Sequence, residues 1–188
     1  LVGGSLNDVL SGNDGNDFIY GNEGDDQLFG DAGNDNLLGG PGNDLISGGA
    51  LNDLLIGHAG NDTLGGDSGN DTVSGGDGDD TLSAGVGVDD LIGGRGNDVF
   101  QNSPGDTRYD FQLGDGADVI SDSAGIDVFQ TRVLGDPAAV VNALTALQSG
   151  DDLIVSLGAD DSVTITGWFS NQQNQIESFR FIDVVSED

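Results

Sequence analysis

The chain has 188 residues and a formal net charge of −30, because 34 acidic residues face only four basic ones, all of them arginine. So acidic a chain disfavours nucleic acids and anionic membranes as partners. It has no cysteine, which excludes disulfides and zinc–thiolate sites, and no apolar run of about 18 residues that would predict a transmembrane helix. High net charge with modest hydrophobicity is typical of disorder, so we expect folding to require counterions.

Eleven nonapeptides follow one another from Gly3 to Gln101 without an insertion or a deletion. The first position is Gly in ten of them, the sixth is Asp in all eleven, and the eighth is apolar in all eleven. This period predicts a solenoid in which six residues turn and three form a short strand. The sixth-position residues are Asp8, Asp17, Asp26, Asp35, Asp44, Asp53, Asp62, Asp71, Asp80, Asp89 and Asp98.

A Gly-rich turn with one Asp at a constant place offers only oxygen ligands, from the carboxylate and from backbone carbonyls. Ca²⁺ takes about six to eight oxygens in flexible geometry, whereas Mg²⁺ requires a stricter octahedron and keeps its waters. Zinc would call for Cys or His, and the chain has a single histidine, His58. The repeat therefore predicts Ca²⁺ sites in the turns.

Blocks such as 39–47 and 75–83 resemble the nonapeptide of the RTX (repeats-in-toxin) haemolysin-type Ca²⁺-binding family. The resemblance implies an all-β parallel β-roll with two nonapeptides per coil. Each Ca²⁺ would lie between stacked turns, held by two Asp carboxylates and by carbonyls. Six turns on one edge and five on the other leave gaps for about nine ions. We expect the weakest sites beside Leu6, Leu51 and Val88, which replace the usual turn residues.

The repeat breaks at Asn102 for eleven residues, after which two degenerate blocks return at 113–121 and 122–130. Their sixth positions are Asp118 and Asp127, which we predict as further, weaker metal ligands. The sequence thus predicts a β-roll domain over residues 1–130 and a carboxy-terminal capping segment over residues 131–188.

Beyond the roll, Asp136 and Pro137 predict the start of a helix over Ala138–Leu147. A shorter helix followed by a hairpin at Ser149–Asp152 is the alternative. Strands are predicted over residues 153–157, 162–166 and 176–182.

The carboxy-terminal region also resembles the flank that follows the last repeat block of RTX proteins, notably adenylate cyclase toxin, through stretches such as Asp161–Phe169. This resemblance implies a cap, needed for Ca²⁺-driven folding, over the open end of the solenoid. We expect Trp168 and Phe169 to cover that end, the alternative being a sugar-stacking or receptor site.

No pattern predicts catalysis. Carboxylates on a repeated edge lack the cleft that separates the pKa values of a catalytic pair. His58 has no motif partner, and no Gly-x-Ser-x-Gly occurs. We therefore predict that the chain is not an enzyme.

One outward surface is apolar. Six residues that flank inward positions in alternate blocks should lie on one sheet face: Phe18, Tyr20, Leu38, Leu54, Ile56 and Ile92. This face is interpreted either as an interface with a partner or as a surface that packs against a preceding segment of a longer chain.

The function predicted is a Ca²⁺-binding module of a secreted bacterial protein. The RTX resemblance implies export by type I secretion machinery, disorder at low cytosolic Ca²⁺, and folding outside the cell beside adjacent domains of a larger chain. The alternative is an adhesin or a carbohydrate- or receptor-recognition module in which Ca²⁺ is only structural.

Overall fold

A computed structural model describes residues 1–101, 103–112, 114–121, 127–134, 145–149, 151–156, 162–166, 168 and 176–184. These residues form β-strands and turns and include no helix, so none of them could cross a bilayer as an apolar helix. The strands lie in two sheets that face each other across a narrow core.

From β1 to β14 the two sheets divide the strands into odd-numbered and even-numbered ones. The first sheet contains, in spatial order, β1 (Val9–Ser11), β3 (Gln27–Ala32), β5 (Leu45–Ala50), β7 (Thr63–Ser68), β9 (Thr81–Ser83), β11 (Val99–Gln101), β13 (Ala117–Ser121), β17 (Ser162–Ile165), β16 (Asp152–Ser156) and β15 (Thr145–Ser149). The second contains β18 (Ile176–Val184), β14 (Asp127–Leu134), β12 (Asp106–Gln112), β10 (Val88–Arg95), β8 (Thr72–Asp77), β6 (Leu54–Ala59), β4 (Asn36–Pro41) and β2 (Phe18–Tyr20). From β1 to β14 consecutive strands thus alternate between the two sheets, which confirms the predicted parallel β-roll.

Parallel neighbours in the regular part are offset by 18 residues, which is two nonapeptides. Leu28 therefore lies beside Ile46, and Ile46 beside Leu64. These eighth-position side chains point inward and are at most 1% exposed from Ile19 to Phe100. Burying such an aliphatic side chain contributes about 1.5–3 kcal/mol, so one apolar residue per repeat builds a continuous core.

Although the nonapeptide pattern breaks at Asn102, β12 forms another half-coil of the roll. It pairs in parallel with β10, with Thr107 beside Asp89 and Tyr109 beside Leu91. Tyr109 takes the inward position, and Gly105 takes the crowded fourth position, where a side chain would meet the backbone of Gly87. The coil forms without a sixth-position Asp because both steric requirements of the repeat are met: an apolar side chain at the inward position and a glycine at the crowded fourth position.

The coil lengthens after this point and its core becomes aromatic. Phe111 and Gln112 are two extra residues, and the offset between β12 and β14 rises to 20 residues. Phe111 packs edge-on against Phe100 with ring centroids 5.3 Å apart and stacks on Phe129 at 4.9 Å. Larger rings fill the longer coil where Leu and Ile fill the regular ones.

Both sheets continue beyond the last repeat. β17 pairs in parallel with β13 and is followed outward by β16 and β15, which are antiparallel, while β18 pairs with β14. The β15–β16 hairpin confirms the alternative turn near Gly150. A helix reaching Leu147 is wrong for residues 145–147, and residues 138–144 lie outside the described part.

These added strands supply partners for the backbone of the last coils, which an open solenoid end would leave unpaired. Trp168 is half-buried and packs against the core, as predicted. Phe169 lies outside the described residues. The domain division after residue 130 stays a prediction and falls within β14.

Candidate metal centre

The roll brings the sixth-position residues together in two rows, one along each edge. Edge A carries Asp8, Asp26, Asp44, Asp62, Asp80, Asp98 and Asp118. Edge B carries Asp17, Asp35, Asp53, Asp71, Asp89, Thr107 and Asp127. From Asp26 onward the carboxylates are at most 4% exposed, whereas Asp8 and Asp17 in the first coil are half-buried.

Within each row the two carboxylate oxygens have different environments. Oδ1 accepts a hydrogen bond from the backbone N–H of the sixth-position residue one coil earlier, as from Asp62 N–H to Asp80 Oδ1 at 2.8 Å. In the regular repeats, Oδ2 is buried and receives no hydrogen bond in ten residues: Asp17, Asp26, Asp35, Asp44, Asp53, Asp62, Asp71, Asp80, Asp89 and Asp98. A buried carboxylate oxygen without a donor is costly, so this row of oxygens calls for a cation or a proton.

The first-position glycines leave space beside those oxygens. A Cβ placed on Gly66 would lie 2.6 Å from Asp71 Oδ2 and 2.5 Å from the carbonyl oxygen of Ala84 in the next coil. On Gly48 it would lie 2.6 Å from Asp53 Oδ2 and 3.0 Å from Gly66 O. Three of these four separations are close to the ~2.3–2.6 Å of Ca²⁺–oxygen bonds, so the oxygens suit a hard cation.

No group of three or more Asp, Glu, His or Cys side chains converges among the described residues. A cation between stacked turns would therefore depend on backbone carbonyls as well as on the two carboxylates. This agrees with the oxygen-only donor set that the Gly-rich turn predicts.

Two turn positions that the sequence pattern leaves variable have structural roles. In ten of the eleven repeats the second position has positive φ, which accounts for residues such as Asn22 (φ +78°), Asp31 (φ +71°) and His58 (φ +86°) where it is not Gly. The fifth position carries Asn or Asp in ten of the eleven repeats. Its side-chain oxygen accepts the N–H of the fifth residue in the next coil, as from Asn70 N–H to Asn52 Oδ1 at 2.9 Å.

The predicted weak points show how the turn adapts. Leu51 takes the fourth position, where Gly33 and Gly69 in the flanking coils have φ +156° and +153°. Leu51 itself adopts φ +79°, and its side chain is exposed. Leu6 lies in the first coil, where its side chain is also exposed. The Oδ2 atom of Asp53 stays buried beside Leu51, so the substitution leaves the carboxylate row intact.

The RTX calcium-binding nonapeptide repeat model matches residues 2–37, 38–73, 65–100 and 113–131 of the chain. The chain belongs to this RTX family. A second model, the haemolysin-type calcium binding protein related domain, matches residues 152–185. RTX repeats are typically structural, calcium-binding modules of secreted bacterial proteins. The closer likeness of the flank to adenylate cyclase toxin stays a prediction.

A comparison with curated proteins finds no match. Among solved structures, the chain is similar to the extracellular lipase LipA from Serratia marcescens at 20% identity and a TM-score of 0.31. The similarity covers 86% of this chain and 36% of the lipase, so the chain spans little more than a third of that protein.

The electrostatics of the RTX turns favour a neutralising ligand. Burial raises the pKa of the Asp53 carboxyl to about 6. It raises the pKa to about 7 in four other carboxyls, those of Asp62, Asp71, Asp80 and Asp98. The backbone hydrogen bond to each carboxylate lowers its pKa, and neighbouring carboxylates raise it further. Without a cation, the folded roll thus resists carrying its full negative charge at neutral pH.

The predicted apolar face of the RTX roll lies on the second sheet. Phe18 is 59% exposed and Tyr20 is 40% exposed, whereas Leu38, Leu54, Ile56 and Ile92 are half-buried. Tyr20, Leu38 and Pro41 line an open groove of about 330 Å³, with Asn22 and the exposed His58 at its sides. The groove forms because Gly40 has no side chain between Asn22 and His58.

Proposed function

We propose that the chain is a calcium-driven folding module, disordered at low Ca²⁺ and folded when Ca²⁺ occupies the gaps between its turns. The observation that carries this proposal is the row of buried Oδ2 atoms, eight of which lie beside a glycine-walled space that faces a carbonyl of the next coil. A cation in that space would satisfy oxygens that receive no hydrogen bond. Metal binding would then be part of the folding free energy.

The proposed ligands are the sixth-position aspartates of both edges. They are Asp8, Asp17, Asp26, Asp35, Asp44, Asp53, Asp62, Asp71, Asp80, Asp89 and Asp98, with Asp118 and Asp127 as weaker ligands. The regular turns leave gaps for about nine ions, which would cancel about 18 of the 30 net negative charges. The same ions would therefore remove most of the repulsion that keeps the chain open.

The biological role proposed is to aid type I secretion and folding outside a bacterial cell. Extracellular Ca²⁺ modules have dissociation constants of about 10⁻⁴–10⁻³ M, so cytosolic Ca²⁺ would leave the sites empty and the chain unfolded during export. Outside, ion binding would stabilise the folded roll by mass action. The proposed partners are calcium ions, the secretion machinery and adjacent domains of a larger chain, and we assign the module itself no enzymatic activity.

The test compares Asp62→Asn with Asp77→Asn by calorimetric Ca²⁺ titration. Asp62 is buried in the edge A row, whereas Asp77 is exposed and pairs loosely with Arg95. We expect Asp62→Asn to lose at least one bound ion and to need several-fold more Ca²⁺ for folding, and Asp77→Asn to match the unaltered chain. Equal stoichiometry and midpoint in the two variants would contradict the assignment of the carboxylate row.

A second candidate function is recognition of a ligand by the Tyr20 groove, with Ca²⁺ only structural. A partly exposed aromatic ring in an apolar groove beside an amide and an imidazole suits a sugar ring or a receptor side chain. The test is a glycan array probed with the calcium-loaded chain, with Tyr20→Ser and Phe29→Ser as paired variants on opposite sheets. Binding lost only in Tyr20→Ser would favour recognition, and an absence of binding would remove it.

A further inference from the structure

One gap on edge B differs from its neighbours. It separates the turn Ala84–Asp89 from the turn Ser103–Thr107, and we name it the Ala84 gap. The preceding gap on the same edge has Gly66 beside Asp71 on one side and Asp89 on the other. At the Ala84 gap, alanine replaces the first-position glycine and Thr107 replaces the second carboxylate.

The alanine matters because of where its methyl group lies. At each of the ten first-position glycines, a Cβ would approach the Oδ2 of its own Asp to within 3.0 Å. It would thus occupy the space in which the proposed ion sits. Ala84 is fully buried and carries a Cβ at this position of the repeat, in the same turn as Asp89. Its methyl group would therefore fill the space that glycine leaves open for a cation.

Polar groups of the protein close the same gap. The Ser103 side chain is fully buried, and its hydroxyl accepts the backbone N–H of Ala84 at 3.4 Å. In a regular coil the first-position N–H donates to a backbone carbonyl, as from Gly12 to Phe29 O at 2.8 Å. Asp106 N–H crosses the gap to Gly87 O at 2.9 Å. The two coils are therefore joined here by direct hydrogen bonds.

A positive charge is also present, and it belongs to the protein. Arg108 on β12 forms an ion pair with Asp90 on β10 and so links the coils on either side of the gap. Asp89, Asp90, Thr107 and Arg108 line one small cavity of about 180 Å³. A guanidinium keeps its charge at any physiological pH, so this link does not require a bound calcium ion.

We infer that the Ala84 gap holds no calcium ion and that Ala84, Ser103 and the Asp90–Arg108 pair join the coils there in its place. The row of bound ions on edge B is then interrupted at the Ala84 gap, after the gap between Asp71 and Asp89, while edge A continues to the gap between Asp98 and Asp118. The inference rests on the proposed function, since it assumes that the complete gaps bind Ca²⁺.

The first experiment counts bound Ca²⁺ by native mass spectrometry of the full chain. Restoring the regular residues with Ala84→Gly and Thr107→Asp together should add one ion. The matched control, Gly66→Ala, places a methyl in the complete neighbouring gap and should remove one. A folded double variant with an unchanged count would overturn the inference, and so would a Gly66→Ala variant that keeps its full count.

The second experiment needs no variant. In crystals of the unaltered chain grown with Ca²⁺, anomalous scattering measured at long wavelength should show an ion between Asp71 and Asp89 and none in the Ala84 gap. An ion in both gaps would overturn the inference while leaving the proposed function intact. No ion in any gap would reject the proposed function itself, so the two failures are distinguishable.

Discussion

Gly60 shows why the fourth position of the repeat is so restricted. Its φ is +132°, and a Cβ on it would overlap the carbonyl oxygen of Gly42 in the preceding coil. The restriction thus comes from two sources, a left-handed backbone and a close approach of main chain to main chain. Neither can relax without separating the coils, which would also separate the oxygens of the gap.

The residue-scale prediction compares Gly60→Ala with Gly65→Ala. Gly65 lies on the outer surface of β7, where a Cβ would meet nothing within 4 Å. We expect Gly60→Ala to lower the free energy of unfolding by about 2 kcal/mol or more, and Gly65→Ala to change it by less than about 0.5 kcal/mol. Urea denaturation at saturating Ca²⁺ measures both, and equal values would show that the turn is not constrained in this way.

The half-coil around β12 shows which positions of the repeat predict a coil. A search that requires Asp at the sixth position rejects residues 102–110, because Thr107 stands there. Gly105 and Tyr109 nevertheless keep the fourth and eighth positions in register, and that signal was sufficient to find the coil. Steric fit and the apolar core determine whether a coil forms, whereas the sixth-position Asp indicates an ion site. Around β12 the coil is present without that Asp.

Other features could not be read from the pattern. The period predicts two rows of Asp, but not that Oδ1 is occupied by a backbone N–H while Oδ2 is left free. The fifth-position hydrogen bonds join residues 18 apart, so their partners become visible only when the coil length is known. The cap could be predicted only as strands, because the 45-residue offset between β13 and β17 depends on tertiary packing.

The element-scale prediction concerns Tyr109 on β12. Its side chain is 1% exposed and contacts Phe100 with ring centroids 5.6 Å apart. We expect Tyr109→Ala to lower the free energy of unfolding by about 3–5 kcal/mol, because it removes a large buried ring. Val99→Ala on β11, the preceding strand in the chain, removes part of an exposed side chain. It should lower the free energy of unfolding by less than about 0.5 kcal/mol. A small effect of Tyr109→Ala would mean that this segment is a loop outside the core.

At the scale of the whole molecule, the buried carboxylates link folding to pH. The pKa of an Asp in the unfolded chain is near 3.9, while burial raises it to about 7 for Asp62, Asp71, Asp80 and Asp98 in the metal-free roll. Between about pH 4 and pH 7 the folded form therefore binds more protons than the unfolded form. The metal-free roll therefore gains stability as pH falls through this range and loses that stability as pH rises back through it toward about 7.

The corresponding prediction is tested by circular dichroism in chelator. We expect β-sheet signal to increase as pH falls from 8 to 5, because protons replace part of the missing cation charge. In saturating Ca²⁺ the signal should change little over the same range, while the Ca²⁺ concentration needed for folding should rise as pH falls. A metal-free chain equally disordered at pH 8 and pH 5 would show that the carboxylate rows do not control folding.

A Ca²⁺ titration followed by far-UV circular dichroism, with Mg²⁺ as the control, tests whether Ca²⁺ drives folding of the whole roll. We expect a cooperative change from coil to β-sheet in the high-micromolar to millimolar range with Ca²⁺. Mg²⁺ at the same concentrations should leave the chain unfolded, since it requires stricter octahedral geometry. A full β-sheet spectrum in chelator at neutral pH would overturn calcium-driven folding, because the roll would then fold by packing alone.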